Sequence, residues 1–289
     1  MQFLFSQELL FFYLNAGFFY VADVLQKITS EKRWTWAYLL IRTAYTFVIA
    51  FLLTIILFGI KEFPDLTTTL QIVGCSVICG GGLFFYIKAV NQLKFSNAGS
   101  LYLIGNVLQH LIGIVFLNES YLLSDIPAFI LMSFGCIYQI IRSPSFKGAG
   151  AVLLSSFCWT IGYILLSFPL KKTSVYWSVP LMEATILAVC IAVTFLSRKN
   201  HANDIRQINK EIHPLRFALI GLLVSLGSYF NNMSFRDIPV SVISILQLSL
   251  IPITFILSLR IFKERLTTIE WISFATGFSG FAIFVLSRI

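Results

Sequence analysis

The chain of 289 residues is 57% hydrophobic and only 12% charged, with a mean hydropathy of +0.85. A typical soluble domain is about 25% charged, so this composition excludes an ordinary water-soluble protein. The net charge of +8 comes from basic residues at the ends of apolar segments and in their connections. Anionic lipid head groups explain that distribution better than nucleic acid does, and we predict no nucleic-acid partner.

Apolar segments bounded by charged residues or by Pro and Gly predict about ten membrane helices in an all-α integral membrane fold. In the first half they lie near 3–26, 36–60, 68–90, 97–117 and 121–141. In the second half they lie near 148–169, 176–197, 215–235, 239–261 and 268–287. Because each span needs about 20 residues, ten helices occupy nearly the whole chain. The protein is therefore expected to cross the cell membrane many times.

The two halves of the chain share a pattern at a constant offset. Glu119 and Glu264 are 145 positions apart, and the same offset relates Ser96 to Ser241. The matched order of helices predicts two five-helix repeats, residues 1–142 and residues 143–289. An odd number of helices per repeat gives the two copies opposite orientations across the membrane, as in many secondary carriers.

The second half also carries the residues of a known family. These are Ile238-Pro239 through Gln247, Ile251-Pro252, Phe262-Lys263-Glu264-Arg265-Leu266, Glu270-Trp271, and Gly277 to Gly280. They resemble the C-terminal signature of the drug/metabolite transporter superfamily, EamA type. In the first half, Gly17, Arg42 and Glu119 match the expected order, whereas Val107 stands where the second half has Pro252. The resemblance implies a ten-helix carrier with a central cavity between two five-helix repeats.

Two signals disagree on the orientation in the membrane. Most Lys and Arg residues fall in the odd-numbered connections, and the positive-inside rule then places both termini outside the cytoplasm. The family resemblance implies cytoplasmic termini. The sequence leaves the orientation open, and it is compatible with a monomer or a homodimer. The short chain favours a bacterial inner membrane.

Polar side chains within the spans are candidates for a substrate cavity, because each costs free energy in hydrocarbon unless it has a partner or water. The candidate cavity residues are Asn15, Asp23, Tyr102, Asn106, His110, Trp159, Tyr163, Asn232 and Gln247. Hydrogen bonding between packed helices is the alternative interpretation of the amide and imidazole groups. An interfacial aromatic belt is the alternative for Trp159 and Tyr163, although both lie near the middle of their span.

Arg42 and Glu183 occupy equivalent depths on repeat-related helices, at an offset of 141. Opposite charges at such depth favour a direct pair, which would act as a structural latch or as a state-dependent gate. We predict that Asp23, Arg42 and Glu183 form the coupling or gating group. Asp23, Glu183 and His110 are the titratable groups deepest in the spans, so protons are a candidate coupling partner.

Glu119 and Glu264 follow the fourth and ninth predicted helices at the membrane edge. We expect these two carboxylates to orient the helical hairpins. Thr267 and Glu270 form a Thr-x-x-Glu pattern, which predicts a capping box at the start of the last helix.

The sequence carries no phosphate-binding Gly-Lys-Ser/Thr loop, no His-Glu-x-x-His, no Gly-x-Ser-x-Gly elbow and no Cys/His metal array. We therefore predict no enzyme activity, no metal site and no cofactor. The favoured function is a secondary transporter that exports or exchanges a small organic metabolite, such as an amino acid, by alternating access. The alternatives are a broad-specificity drug efflux carrier and a non-transporting structural or interaction protein of the membrane.

Overall fold

The computed structural model describes residues 7–30, 35–59, 63–119, 123–142, 146–173, 175–196 and 202–287. These ranges contain α-helices and no β-strand. Nine of the described helical segments are long and apolar enough to span a membrane, and Ser178–Thr194 is a shorter apolar helix. The all-α membrane fold predicted from composition is confirmed.

The helices of the first half include two short segments where one long helix was predicted. They are α1 (Gln7–Thr29), α2 (Thr35–Leu53), α3 (Leu66–Val90), α4 (Phe95–Tyr102), α5 (Ile104–Val115) and α6 (Asp125–Arg142). A π-helical turn, Thr54–Phe58, extends α2 and ends at Gly59, whose φ of 72° suits glycine. Asp65 caps α3, because its carboxylate accepts hydrogen bonds from the Thr68 N–H at 2.9 Å and the Thr68 hydroxyl at 2.7 Å. These bonds lower the pKa of the Asp65 carboxyl.

The helices of the second half repeat that arrangement and add one that was not predicted. They are α7 (Phe146–Leu170), α8 (Ser178–Leu196), α9 (Ala202–Glu211), α10 (Pro214–Asp237), α11 (Val240–Leu248), α12 (Ile251–Arg260) and α13 (Thr268–Leu286). The additional helix, α9, is a polar segment in the basic connection, and it buries Ile208.

Breaks interrupt the fourth and the ninth predicted spans near their middle. In the ninth, α11 ends at Leu248 and α12 begins at Ile251, next to Pro252. Proline has no backbone N–H to continue the helical hydrogen bonds, which accounts for this break. In the fourth, α4 and α5 meet at Leu103, although Val107 occupies the position equivalent to Pro252.

Ser156 of α7 satisfies backbone groups at the break in the fourth span. The Gly105 N–H donates to the Ser156 hydroxyl oxygen at 2.8 Å, and that hydroxyl donates to the Tyr102 carbonyl. A Cβ atom at Gly105 would lie 2.3 Å from the Ser156 hydroxyl oxygen, so only glycine fits there. The Ser156 side chain thus stabilises the break in the fourth span, whereas Pro252 accounts for the break in the ninth span.

The chain divides into two compact units, each built from both halves of the sequence. The first unit is Gln7–Ile87 with Gly162–Asp237, and the second unit is Lys88–Ile161 with Ile238–Ile289. The boundaries between the units fall within α3 and α7. The division of the sequence into two repeats, residues 1–142 and residues 143–289, stays a prediction. Residues 143–145, next to that division, lie outside the described ranges.

In the first unit, α1 packs on α10, α10 on α2, and α2 on α8. Glycines on α10 allow close approach, since a Cβ at Gly221 would lie 3.2 Å from the Thr46 backbone nitrogen. A Cβ at Gly227 would lie 3.2 Å from the Phe19 ring. The close packing brings polar positions on these helices within hydrogen-bonding distance.

In the second unit, α6 packs along α13, and the two broken spans pack on each other through α4 with α12 and α5 with α11. The Ser273 hydroxyl donates to the Gly135 carbonyl at 2.8 Å. A Cβ at Gly280 would lie 2.8 Å from the Ala128 carbonyl oxygen. Small residues therefore set the spacing between α6 and α13.

Glu264 caps the start of α4, a helix from the other half of the sequence. Its carboxylate accepts hydrogen bonds from the backbone N–H of Phe95 at 2.8 Å and of Ser96 at 3.2 Å. The hydroxyl of Ser96, at 3.0 Å, and that of Ser258 also donate to it. A carboxylate is well placed here, because the first N–H groups of a helix have no partner inside the helix.

Glu119 makes the equivalent contacts at the start of α11. Its carboxylate accepts hydrogen bonds from the backbone N–H of Val240 at 2.9 Å and of Ser241 at 2.7 Å. Val240 and Ser241 are 145 positions after the residues that Glu264 caps, so the sequence offset reappears as a reciprocal pair of caps. Asn118 and Lys263, which precede the two carboxylates, share the same left-handed φ of 51°.

The predicted capping box at the start of α13 is confirmed. The Glu270 N–H donates to the Thr267 hydroxyl oxygen at 3.3 Å, and the Thr267 N–H donates to the Glu270 carboxylate at 2.6 Å. The Ser96 hydroxyl oxygen also lies 2.8 Å from the Glu270 carboxylate, so its single proton is shared between Glu264 and Glu270. Ser96 therefore links the start of α4 to both carboxylates of the second half.

We expect Glu264→Gln to destabilise the protein more than Glu119→Gln. Glu264 accepts two backbone and two hydroxyl hydrogen bonds, whereas the described contacts of Glu119 are two backbone bonds. Hydrogen bonds to a charged group contribute about 1.5–3 kcal/mol each, so the amide at 264 should cost at least one such bond. Thermal unfolding of the two purified variants, followed in the same detergent, measures the difference. A larger loss for Glu119→Gln would contradict the contact pattern.

Candidate functional site

Arg42 of α2 and Glu183 of α8 form a buried ion pair within the first unit. Arg42 Nη1 and Glu183 Oε2 are 3.6 Å apart, and the two residues are 5% and 2% exposed. Charged N–H···O bonds are usually 2.7–2.9 Å long, so this pair is held by electrostatic attraction without a short hydrogen bond. The juxtaposition predicted from the repeat offset is present in the structure.

The pair leaves hydrogen-bonding capacity unused. Arg42 Nε and Nη1 and Glu183 Oε2 are buried and have no hydrogen-bond partner among the described residues. Guanidinium groups bind carboxylates through paired donors, and a carboxylate oxygen accepts readily from an ammonium group. The Arg42–Glu183 pair can therefore accept a ligand that carries an anionic group, a cationic group, or both.

Asp23 of α1 is the third charged residue of this group. Its carboxylate accepts hydrogen bonds from Gln26 Nε2 at 3.1 Å and from the Tyr86 hydroxyl of α3, and it interacts electrostatically with Arg42. Asp23 is half-buried, whereas Gln26 is buried. Three helices of the first unit thus contribute to one polar group, and we name Asp23, Arg42 and Glu183 the charged triad.

A second polar layer of the first unit consists of amides and hydroxyls. Asn15 Nδ2 donates to Asn231 Oδ1 at 2.8 Å, joining α1 to α10. Asn232 Nδ2 donates to the Ser178 hydroxyl oxygen at 2.8 Å, joining α10 to α8. The Oδ1 atoms of Asn15 and Asn232 have no hydrogen-bond partner within the described part of the chain. Both predicted amides therefore link helices and retain one free acceptor each.

The π-helical turn of the first unit is surrounded by hydroxyl groups. The Thr54 and Tyr229 hydroxyls are hydrogen-bonded to each other, and Tyr229 also donates to the Ala50 carbonyl at 3.0 Å. Phe58 packs against Tyr176, with ring centroids 4.2 Å apart. Side chains thereby satisfy the backbone where the α-helical pattern changes.

In the second unit, the His110 ring contacts the first turn of α11. Its Nδ1 lies 2.9 Å from the Ser241 carbonyl oxygen and 3.1 Å from the Ser244 hydroxyl oxygen. The ring centroids of His110 and Phe129 are 4.1 Å apart. Gln109 Nε2 donates to the Val240 carbonyl at 3.4 Å. These contacts favour the packing interpretation of the histidine.

The other candidate residues are divided between the two units. Asn106 is buried. Gln247 is partly buried, and its Oε1 has no hydrogen-bond partner among the described residues. The backbone carbonyl of Tyr102 accepts a hydrogen bond from the Ser156 hydroxyl. These residues and Trp159 belong to the second unit. Tyr163 belongs to the first unit, where it is buried and stacks on Phe235 with ring centroids 4.9 Å apart.

Sequence reasoning missed three partners in the first unit. Asn231 was not predicted, although it neighbours Asn232; Tyr86 lies in an apolar segment; and Ser178 lies at the start of a span. Helical periodicity identifies which residues of one helix share a face, but it does not identify the facing helix. Only the packing of α1, α3, α8 and α10 brings these groups together.

Comparisons with known proteins give a family match over the second half of the chain and a fold match over nearly all of it. Residues 146–286 match the family model described as "EamA-like transporter family". No curated protein sequence matches the chain. A solved structure, described as "Crystal structure of protein", aligns over 97% of this chain and 98% of its own, with a TM-score of 0.67 and 13% identity. At that identity the similarity shows the fold alone.

We expect Arg42→Met to cost about 3–5 kcal/mol of stability, because it leaves the buried Glu183 carboxylate without its partner. Arg236→Met is the matched control: Arg236 pairs with Asp237 at 2.7 Å, but their side chains are 37% and 30% exposed. Such a surface pair contributes about 0–1 kcal/mol. Thermal unfolding can be followed with a thiol-reactive dye, which reacts as the buried Cys79 and Cys136 become exposed. Equal losses in the two variants would contradict the assigned burial.

Proposed function

Because the chain belongs to the EamA-like transporter family through residues 146–286, we propose that it is a secondary transporter of a small organic metabolite. Membership in this family implies a multi-pass membrane transporter of the drug/metabolite superfamily. Export or exchange across the cytoplasmic membrane, by alternating access, is the mode that we propose. A bacterial inner membrane is the proposed location.

The observation that carries the proposal is the charged triad. Placing Asp23, Arg42 and Glu183 within membrane-spanning helices costs several kcal/mol, unless protein or water compensates them. A purely structural pair would be expected to have short, complete hydrogen bonds, yet Arg42 Nη1 and Glu183 Oε2 are 3.6 Å apart. Intramembrane ionisable residues with spare hydrogen-bonding capacity are typical of substrate and ion pathways.

An α-amino acid or a closely related metabolite suits the chemistry of the triad. The Arg42 guanidinium can bind a carboxylate, and the carboxylates of Asp23 and Glu183 can bind an ammonium group. The free acceptors of Asn15 and Asn232 can bind further N–H or O–H groups of a polar ligand. Every one of these residues lies in the first unit.

Broad-specificity drug efflux is the competing proposal, and it depends on aromatic side chains. Tyr163, the aromatic candidate in the first unit, is buried and stacked on Phe235, so one face of its ring is already occupied. The atoms of Asn15, Arg42, Glu183 and Asn232 in that unit that have no hydrogen-bond partner among the described residues are polar. This difference favours a small polar metabolite over a large apolar drug.

The test is flux in vesicles. Comparing metabolites of cells that lack or overproduce the protein selects the compound, and a mixture of labelled amino acids serves as the first probe in proteoliposomes. Arg42→Lys keeps the charge but loses the planar fork of donors, so we expect roughly tenfold to a hundredfold slower exchange. Arg236→Lys is the matched control and should keep the wild-type rate.

Three results would contradict the proposal. Absence of flux for every metabolite that differs between the cells would favour the structural or interaction protein. Flux of bulky hydrophobic dyes in preference to amino acids would favour drug efflux. Unchanged exchange in Arg42→Lys, with the variant folded as judged by size-exclusion chromatography, would remove the charged triad from the substrate site.

A further inference from the structure

The charged triad has unequal numbers of positive and negative groups. Asp23 and Glu183 are two carboxylates, and Arg42 is the guanidinium that acts on both. With all three ionised, the group carries one net negative charge inside spanning helices. Because hydrocarbon does not solvate charge, an additional positive charge bound at the triad lowers this cost.

The two carboxylates differ in the groups that surround them. Asp23 accepts hydrogen bonds from Gln26 and from Tyr86, and it retains partial exposure. Hydrogen bonds donated to a carboxylate favour its ionised form. Asp23 therefore has hydrogen-bond donors of its own, in addition to its electrostatic interaction with Arg42.

Glu183 lacks this support. Its side chain is 3% exposed, and its Oε2 has no hydrogen-bond donor among the described residues. The nearest charged atom is Arg42 Nη1 at 3.6 Å, which is too long for a charged hydrogen bond. A proton on Glu183 removes the uncompensated charge and adds a hydrogen-bond donor at a buried site.

The other titratable groups with described interactions at the triad are two tyrosines and a cysteine, and these side chains carry no positive charge. Tyr38 is hydrogen-bonded to the Thr29 hydroxyl at 3.0 Å, and Tyr86 donates to Asp23. Cys190 is a thiol hydrogen-bonded to Thr43, near Arg42 and Glu183. The side chains that α10 presents to α2 along this stretch include the neutral Phe217 and Ser225.

We propose that Glu183 is the exchangeable proton site of this protein, with Asp23 as the hydrogen-bonded counter-ion of Arg42. This inference rests on the proposed transport function for its role in the cycle. A proton from water on one side forms an O–H bond with the Glu183 carboxylate, and the bond breaks to release the proton to water on the other side. Each transport cycle then moves one proton together with, or against, one substrate molecule.

Infrared spectroscopy tests the site without a substrate. In lipid vesicles the wild type should show the C=O band of a buried protonated carboxylic acid, which disappears as the pH is raised. Glu183→Gln should lose this band, whereas Asp23→Asn should retain it, and Glu183→Asp should restore a titrating band. Asp65→Asn, at an exposed helix cap, is the matched control and should change nothing.

A band that persists in Glu183→Gln and is lost in Asp23→Asn would overturn the assignment, and so would a wild type without any such band. Flux separates this failure from failure of the proposed function. With one proton per cycle, the labelled amino acids should accumulate up to about tenfold per pH unit in wild-type vesicles. Glu183→Gln should abolish that accumulation and retain exchange at equal pH.

Accumulation driven by a pH gradient that survives in Glu183→Gln would overturn the proton site while leaving the transporter intact. Gradient-driven accumulation that requires sodium in place of protons would also overturn it. A titrating Glu183 band in a protein without flux would contradict the proposed function and leave the proton site standing.

Discussion

In the interior of a bilayer, a polar group that loses its hydrogen-bond partner finds no water to replace it. This constraint explains where the described chain deviates from regular helix. The break at Leu103 is stabilised by Ser156, and the π-helical turn at Thr54 is stabilised by Tyr229. The starts of α4 and α11 are capped by Glu264 and Glu119. Each of these four segments thus has a side chain from elsewhere in the sequence as its partner.

The charged triad is the exception to this pattern, which is why it carries the functional argument. The carboxylates of Glu264, Glu119 and Glu270, at the starts of α4, α11 and α13, each accept two or more hydrogen bonds. At Glu183 the nearest positive atom is 3.6 Å away, and donors of Arg42 have no partner among the described residues. A membrane protein retains such an arrangement where the missing partner is a ligand or a proton that comes and goes. The reciprocal caps stabilise the second unit, whereas the triad leaves capacity for binding in the first.

The sequence was sufficient to predict the spans, the repeat offset, the capping box at Thr267 and the equivalent depths of Arg42 and Glu183. These features depend on local composition and spacing. It was insufficient for contacts between helices. The break in the fourth span contains no proline, because Val107 stands at the position equivalent to Pro252, so the sequence did not predict it. The side chain that stabilises this break is Ser156, which lies on another helix. Likewise the offset between Glu119 and Glu264 predicted similar roles, but not that each caps the other half. Asn231 and Tyr86 became visible only once α1 had packed against α10 and α3.

The central claim is that the charged triad meets water and ligand during transport, and Cys190 reports on it most directly. This cysteine is 6% exposed and lies in the electrostatic field of Arg42 and Glu183. In a variant whose other four cysteines are replaced, labelling by a charged, membrane-impermeant thiol reagent can be timed in proteoliposomes. We expect Cys190 to react slowly at rest and several-fold faster during amino-acid exchange, with loss of flux as it reacts. A Cys190 that stays unmodified while exchange proceeds at the wild-type rate would contradict the account.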